Sequence, residues 1–133
     1  MNDLRFYEEI VRDSFGLWIS GLFGAIGSWN PEMDFFQRKE LFFFFVKDLL
    51  SRGVIKFIAP GADCYISPEN PSPRYVISDE NVYWKATPEE IVSYLKSLWP
   101  IGVSDENDIE LAVYFYEIPG VVWIDENGDV FGS

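Results

Sequence analysis

The amino-acid sequence predicts an α+β fold, in which N-terminal helices and one later helix pack on a small antiparallel sheet that ends in a C-terminal meander. Apolar residues recur with a helical period of about 3.6 residues in the first half of the chain. A helix-capping motif stands at Thr87, and a two-residue alternation of the kind found in strands begins at Ile109. We find no internal repeat and no linker, so residues 1–133 are predicted to form a single domain.

Two helical patterns occupy the N-terminal part of the chain. The first covers about residues 3–26, and its glycines predict a break after Asp13 that divides it into two helices. The second is predicted to begin with Asn30 as N-cap and Pro31 at the first helical position, and to end at Gly53. Most phenylalanines of this second helix fall on one broad apolar arc, which predicts that they belong to the core.

Phe44 is the exception in this helix, because a rotation of 100° per residue places it in the middle of the polar arc. Either another element covers its ring, or the ring is an exposed anchor for a partner. Both interpretations stay open at the level of sequence.

Short strands are predicted after these helices. Residues 54–58 form an apolar run that ends at a Pro-Gly pair, which is typical of a strand. Residues 60–73 hold four prolines and are predicted to form an irregular loop. Two further short strands are predicted near residues 74–77 and 82–85.

Thr87-Pro88-Glu89-Glu90 has the sequence of a capping box. The Thr87 hydroxyl oxygen can accept the amide hydrogen of Glu90, and the Glu90 carboxylate can accept the amide hydrogen of Thr87. Pro88 suits the first helical position because the missing N–H would have no helical partner there. This motif predicts a helix that ends before Pro100.

The last quarter of the chain is predicted to be a three-stranded meander. The alternation over residues 109–116 predicts its first strand, and residues 121–124 and 129–132 predict the other two, with turns between them. One face of this meander is expected to cover the helices, and the other is expected to face water with Tyr114 and Tyr116 among acidic residues.

The charge is strongly segregated along the chain. Of 22 acidic residues, 14 lie in residues 61–133 against 3 basic ones, and after Lys96 there are 8 acids and no base. The negative electrostatic potential of these acids disfavours binding to nucleic acid and to anionic lipid, and it accelerates encounter with a basic protein. The alternative is that the acidic surface only keeps the protein in solution.

The composition excludes most catalytic chemistry. There is no histidine, and Cys64 stands alone, which excludes histidine-dependent catalysis and thiolate metal clusters. Asp125, Asn127 and Asp129 begin like a calcium loop, but Val130 stands where such a loop needs glycine. We therefore expect no enzymatic activity, no catalytic residue, no bound metal and no cofactor. A pair of carboxylates in a cleft is the one enzymatic alternative.

No membrane span and no secretory signal are predicted. The 18 uncharged residues between Asp13 and Glu32 are diluted by glycine, serine and asparagine, whereas a spanning helix needs about 20 predominantly apolar residues. The first residues mix acids and bases, unlike a signal peptide. Together with the lone cysteine, this pattern predicts a cytoplasmic protein.

Three segments carry a resemblance to a known group of proteins: Trp29-Asn30-Pro31, the Phe-rich helix, and Trp123-Ile124-Asp125-Glu126-Asn127-Gly128-Asp129. With them, the chain resembles a small, uncharacterised family of acidic bacterial proteins over nearly its whole length. Some of these proteins are immunity proteins of contact-dependent or polymorphic toxin systems. The resemblance implies a cytoplasmic protein that binds and blocks a toxin, often a basic nuclease, and it transfers no functional residues.

The sequence therefore predicts an acidic protein-binding protein that inhibits a basic partner. The alternative is a module that self-associates or binds a small ligand by means of its many aromatic residues, in which case a homo-oligomer is expected. The predicted partner-binding residues are Asp105, Asp108, Glu110, Tyr114, Tyr116 and Glu117, with Phe44 as a further candidate.

Overall fold

The computed structural model describes residues 6–60, 62, 68–75 and 79–132, and it confirms the α+β fold. The described part contains five α-helices, a three-stranded sheet and a short 3₁₀ turn at Glu80–Val82. In chain order the elements are α1 (Tyr7–Ser14), α2 (Ile19–Trp29), α3 (Phe35–Arg52), β1 (Ile55–Phe57), α4 (Pro88–Ser97), α5 (Ile109–Glu117), β2 (Val121–Ile124) and β3 (Val130–Gly132).

The sheet is antiparallel, with β2 between β1 and β3. This confirms the strands predicted at residues 54–58, 121–124 and 129–132. Trp123 on β2 is completely buried, and its indole nitrogen donates a hydrogen bond of 2.9 Å to the Leu17 carbonyl oxygen. The sheet is thereby joined to the connection between α1 and α2.

The first helical pattern is divided into α1 and α2, as its glycines predict. Gly16 lies in the connection with a φ of 83°, a conformation that favours glycine. At the end of α1 the buried Ser14 hydroxyl donates to the Ile10 carbonyl oxygen at 2.6 Å. The chain can therefore reverse between the two helices, which pack against each other.

Helix α3 begins four residues later than predicted, with Asp34 rather than Asn30 as its N-cap. Asp34 and Gln37 form a capping box, because the amide of each donates to the side chain of the other, at 3.1 and 2.7 Å. Asn30 instead caps the end of α2, and Pro31 lies in the turn that follows. This capping box provides acceptors for two backbone amides at the start of the helix. Asn30 and Pro31 cannot form such a reciprocal pair of hydrogen bonds. The predicted end at Gly53 is confirmed by its left-handed φ of 75°.

Helix α3 is the centre of the core and packs against α2, α4 and β1. The prediction that most of its phenylalanines are buried is confirmed for Phe42, Phe43 and Phe45. Phe36, which lies on the same arc, is nevertheless 63% exposed. It stands in the first turn of the helix, where the neighbouring elements leave it uncovered.

The segment between β1 and α4 contains less sheet than predicted. Residues 82–85 form no strand: Val82 ends the 3₁₀ turn, and Tyr83 makes a single antiparallel bridge with Ile58. The Asp79 side chain accepts the amide hydrogen of Asn81 and so favours a turn at this point. The predicted strand at 74–77 and Cys64 lie wholly or partly outside the described residues, and no strand is present at residues 74–75.

Helix α4 begins with the predicted capping box. The Glu90 amide donates to the Thr87 hydroxyl oxygen at 3.1 Å, and the Thr87 amide donates to the Glu90 carboxylate at 2.9 Å. Hydrogen bonds from the Thr87 backbone and side chain lower the pKa of the Glu90 carboxyl. The start of this helix is therefore where the local motif predicts it.

Residues 109–116 were predicted to form a strand, and this prediction is wrong: they belong to α5. The alternation of period two coexists with a helical pattern in the same residues, since Leu111, Tyr114, Phe115 and Ile118 recur at spacings of three, four and seven. Those four side chains are the buried ones. Asp108 caps the helix by accepting the amide hydrogen of Glu110 at 2.9 Å, and this cap favours the helical alternative.

In the part of the chain that the structure describes, no helix is both long and apolar enough to cross a membrane. The uncharged stretch between Asp13 and Glu32 is divided among the end of α1, a turn and the 11 residues of α2.

Candidate protein-interaction surface

Helix α5 is apolar on two opposite sides. Its inner side is buried, whereas its outer side is exposed, with Ile109 at 77% and Tyr116 at 73%. Because successive helical residues are rotated by about 100°, residues spaced by three, four and seven positions share one side. We call the outer set the α5 face, and its members are Ile109, Ala112, Val113 and Tyr116.

Packing of the inner side fixes the orientation of α5. The Tyr114 hydroxyl donates a buried hydrogen bond of 2.7 Å to the Leu95 carbonyl oxygen at the end of α4. The Tyr114 ring also lies 5.0 Å from the Trp99 ring, centroid to centroid. Burial raises the pKa of the Tyr114 phenol, so the hydroxyl keeps the proton that it donates. The α5 face is thus held toward solvent by a defined set of contacts.

Trp18 extends the α5 face toward the start of α2. Its ring centroid lies 5.8 Å from that of Tyr116, and about half of the Trp18 side chain is exposed. Two adjacent, accessible aromatic rings are typical of the centre of protein interfaces, where Trp and Tyr contribute large contact areas at little entropic cost.

Two carboxylates stand along one edge of the α5 face. Glu110 and Glu117 are seven positions apart, so they share one edge of the helix at a separation of about 10.5 Å along its axis. Both are exposed, and α5 contains no basic residue. An apolar strip with an acidic border is therefore presented to solvent.

The acids that precede α5 are engaged in local structure. The Asp105 carboxylate accepts the amide hydrogen of Asn107 at 2.9 Å, and Asp108 is the N-cap described above. Glu106 pairs with Arg38 of α3. These contacts attach the 105–108 loop to the body of the protein and keep its negative charge at the N-terminal end of α5.

The structure brings together most of the predicted partner-binding residues. Glu110, Tyr116 and Glu117 lie on the exposed side of α5, and Asp105 and Asp108 lie at its start. Tyr114 does not join them: it is 4% exposed and faces the core, because the segment is a helix and not a strand. Its expected place on a solvent-facing surface is therefore wrong.

Phe44 lies elsewhere, on α3, and is 37% exposed. It lines an open groove of about 930 Å³ together with Phe6, which precedes α1, and with residues of α2 and α4, but with none of α5. The ring is thus neither fully covered nor fully exposed, which falls between the two alternatives that the sequence left open.

Three exposed residues of this surface were not predicted to contact a partner: Ile109, Val113 and Trp18. A signal for the first two is present in the sequence: residues 109, 112, 113 and 116 have helical spacing, as the buried set does. A helix with two such sets exceeds what one core can cover. The place of Trp18 beside Tyr116 depends on a contact between residues nearly 100 positions apart, which spacing does not reveal.

No group of three or more His, Cys, Asp and Glu residues within the described part is arranged to hold a metal ion. The calcium-like segment is a turn, since one oxygen of Asp125 accepts the amide hydrogens of both Asn127 and Asp129 at 2.9 Å.

These elements define a small α+β protein with an exposed apolar helix face bordered by acids. No family model and no curated protein matches the sequence. Among solved structures, the fold is similar to that of an uncharacterized protein conserved in bacteria, from Neisseria meningitidis. The two share 23% sequence identity with a TM-score of 0.65, and the match covers 96% of this chain and 86% of that one. At this identity the similarity shows the fold alone.

Proposed function

We propose that this protein binds a basic protein partner through the α5 face and has no catalytic activity of its own. The observation that carries the proposal is the exposed apolar strip of α5. A surface helix ordinarily has polar residues on the side that faces solvent, and a contiguous exposed apolar area marks an interaction site.

Charge complementarity defines the chemistry of the partner. Glu110 and Glu117 border the strip, and residues 61–133 carry 14 acids against 3 bases. A matching surface therefore has an apolar centre for Ile109, Val113 and Tyr116 and basic residues at its rim. The excess negative charge accelerates encounter with such a partner, and added salt weakens that effect.

The biological role that agrees with this chemistry is inhibition of a basic toxin, such as a nuclease, by a cytoplasmic immunity protein. A nuclease needs a basic surface to bind the phosphate backbone. An acidic protein that occupies this surface excludes the nucleic acid. The segregated charge and the resemblance to acidic bacterial immunity proteins support this role.

A second candidate is a module that self-associates or binds a small ligand. The observation that favours it is the groove beside Phe44, whose ring is partly exposed. The solution mass tests the self-association part of this candidate. A dimer of the wild-type chain that dissociates on Phe44→Asp would support it, whereas a monomer in both cases would exclude self-association through this groove.

The first experiment is an affinity capture from the native cell lysate at low salt, followed by elution with a salt gradient. We expect one basic protein to elute at moderate salt, and its dissociation constant is then measured for purified variants. Glu110→Lys/Glu117→Lys is expected to weaken binding by at least about tenfold, and Tyr116→Ala by a similar factor.

The control for the double charge reversal is Glu69→Lys/Glu126→Lys, which changes the net charge equally at two exposed positions outside α5. If the control weakens binding as much as the α5 variant, attraction depends on total charge and not on this surface. If neither Glu110→Lys/Glu117→Lys nor Tyr116→Ala changes the affinity, the α5 face is not the binding site.

A further inference from the structure

A second concave site lies between the first turns of α3, the end of α4 and residues 100–104. It has a volume of about 330 Å³, and apart from Ser104 its side chains are aromatic, aliphatic or basic. None of the residues that line it carries a carboxylate, although the chain has 22 acids. This pocket, which we call the Lys39–Lys96 pocket, is lined chiefly by Phe35, Phe36, Lys39, Lys96, Trp99 and Ile101.

The two lysines of this pocket lie over aromatic rings. The Lys39 ammonium is 5.3 Å from the centroid of the Trp99 ring, and the Lys96 ammonium is 5.6 Å from that of Phe43. Such contacts restrict a flexible lysine side chain while its ammonium N–H groups stay available to an acceptor. Lys39 is thereby held over a ring of this pocket, and Lys96 is held at the border that the pocket shares with the groove beside Phe44.

Neither lysine forms a salt bridge with a carboxylate of the described residues, whereas other bases of α3 do. Arg38 pairs with Glu106, Lys47 with Glu89, and Arg52 with Asp48. The chain has 22 acids and 10 bases, and these two lysines, which line one pocket, are both without a carboxylate partner among the described residues. An anionic ligand would supply the partner that the protein does not.

The remaining wall of the pocket is apolar and accessible. Phe36 is 63% exposed and Ile101 is 97% exposed, and both line the pocket together with Trp99. Burying these surfaces against an apolar group is favourable by about 25 cal/mol per Å². The pocket therefore combines anion-binding groups with a surface for an apolar body, and its volume is at the small end of ligand sites.

We propose that the Lys39–Lys96 pocket binds a small carboxylate with an aromatic or branched aliphatic body. The carboxylate accepts hydrogen bonds from the Lys39 and Lys96 ammonium groups, and the body packs against Phe36, Trp99 and Ile101. This inference goes beyond the proposed function, because the pocket contains no residue of the α5 face. Local lysines are required, since a net charge of −12 repels anions from most of the surface.

The test is a titration of the isotope-labelled protein with 3-phenylpropionate, followed by amide chemical shifts in NMR spectra. We expect saturable shifts at Gly102, Val103 and Ser104, which border the pocket. The matched neutral probe is 3-phenylpropanamide, which keeps the body and lacks the charge. It is expected to bind at least about tenfold more weakly, because it cannot form charge-assisted hydrogen bonds with the lysines.

Lys39→Met and Lys96→Met keep an unbranched stem for packing and remove the ammonium group. Each is expected to weaken 3-phenylpropionate binding by roughly tenfold, whereas Lys85→Met, which changes the net charge equally at an exposed position outside the pocket, leaves it unchanged. Thermal unfolding establishes that each variant is folded.

The groove beside Phe44 shares Phe36 and Lys96 with this pocket, so the distinguishing amides are those that line one site only. Three results would overturn the proposal: equal affinity for the acid and the amide, equal effects of Lys39→Met and Lys85→Met, or shifts at Trp29 and Met33 of the groove without shifts at residues 102–104. None of these results bears on binding through α5, so the two proposals fail independently.

Discussion

At the scale of single residues, Arg38 connects three parts of the molecule. Its side chain is mostly buried, its guanidinium lies 5.5 Å from the centroid of the Phe23 ring of α2, and it pairs with Glu106 before α5. Its Nε atom is buried and has no hydrogen-bond partner among the residues that the structure describes. Gly27 of α2 makes room for it, because a β-carbon there would stand 2.6 Å from the Arg38 Cζ atom.

We expect Gly27→Ala to destabilise the protein by about 1–2 kcal/mol, since the added methyl group displaces a guanidinium that cannot move without leaving Glu106 and Phe23. The matched control is Gly24→Ala in the same helix, where a β-carbon meets no atom within 4 Å. That change is expected to stabilise by about 0.5–1 kcal/mol through helix propensity.

Urea unfolding of both variants measures the difference. Should Gly27→Ala be as stable as Gly24→Ala, the Arg38 side chain has an alternative position of equal free energy, and it does not anchor the loop before α5.

At the scale of elements, α5 shows how one segment can satisfy two periodicities. Residues 109–116 alternate as a strand does, and the same residues carry a helical stripe. The cap at Asp108 and the burial of Leu111, Tyr114 and Phe115 together favour the helix. Local propensity is a weak determinant in such a segment, and tertiary packing decides between the alternatives.

The capping role of Asp108 predicts different effects for two neutral replacements. Asp108→Ala is expected to cost about 1 kcal/mol of stability, because the Glu110 amide loses its acceptor. Asp108→Asn keeps an acceptor oxygen at the cap and is expected to cost a few tenths of a kcal/mol. Both remove the same charge, so the difference in their urea midpoints isolates the cap from electrostatics.

Equal destabilisation by the two replacements would mean that the charge of Asp108, and not its hydrogen bond, supports the helix start. The same pair of variants also separates capping from partner contact: if Asp108 contacts a basic partner, both replacements weaken binding, even though only Asp108→Ala lowers the stability by as much as about 1 kcal/mol.

At the scale of the whole molecule, two phenols join elements across the core. The Tyr7 hydroxyl of α1 donates to the Asp48 carboxylate of α3 at 2.6 Å, and the Tyr114 hydroxyl of α5 donates to Leu95 of α4. Burial, and for Tyr7 also the hydrogen bond and repulsion from Asp48, raises the pKa of both phenols above the ordinary value of 10.0. Both hydroxyls are therefore protonated throughout the neutral range.

These raised pKa values predict loss of stability in alkali. Above pH 10 the unfolded chain releases phenolic protons that the folded chain retains, so the free energy of unfolding falls as pH rises. Tyr114→Phe is expected to reduce the slope of this fall and to cost about 1 kcal/mol at pH 8, where the Leu95 carbonyl oxygen loses the phenol as a donor and keeps only the Leu98 amide. Urea midpoints from pH 8 to 11 measure both effects.

Tyr116→Phe is the control for the alkaline series, because Tyr116 is largely exposed on the outer side of α5 and its hydroxyl forms no hydrogen bond with the described residues. If the free energy of unfolding of Tyr114→Phe falls with pH as steeply as that of the wild type, the buried phenol of Tyr114 is not the cause of the loss of stability in alkali.

Part of this architecture could be predicted because it depends on neighbours in the sequence. The capping box at Thr87, the end of α3 at Gly53 and the break near Gly16 each follow from contacts or φ values within a few residues. The strands at both edges of the sheet follow from short apolar runs between turns. The α+β class, the core phenylalanines and the excess of acid were therefore determined by the sequence alone.

The tertiary structure decided what depends on residues far apart in the chain. Residues 109–116 have the pattern of both a strand and a helix. Packing of Tyr114 against Trp99 and Leu95 favours the helix, which buries Tyr114 and leaves Ile109 and Val113 exposed. The pairing of Trp18 with Tyr116 and the gathering of Lys39 and Lys96 around one pocket arise in the same way. Local sequence patterns predict which residues are buried, but only packing between elements determines which apolar surfaces remain exposed.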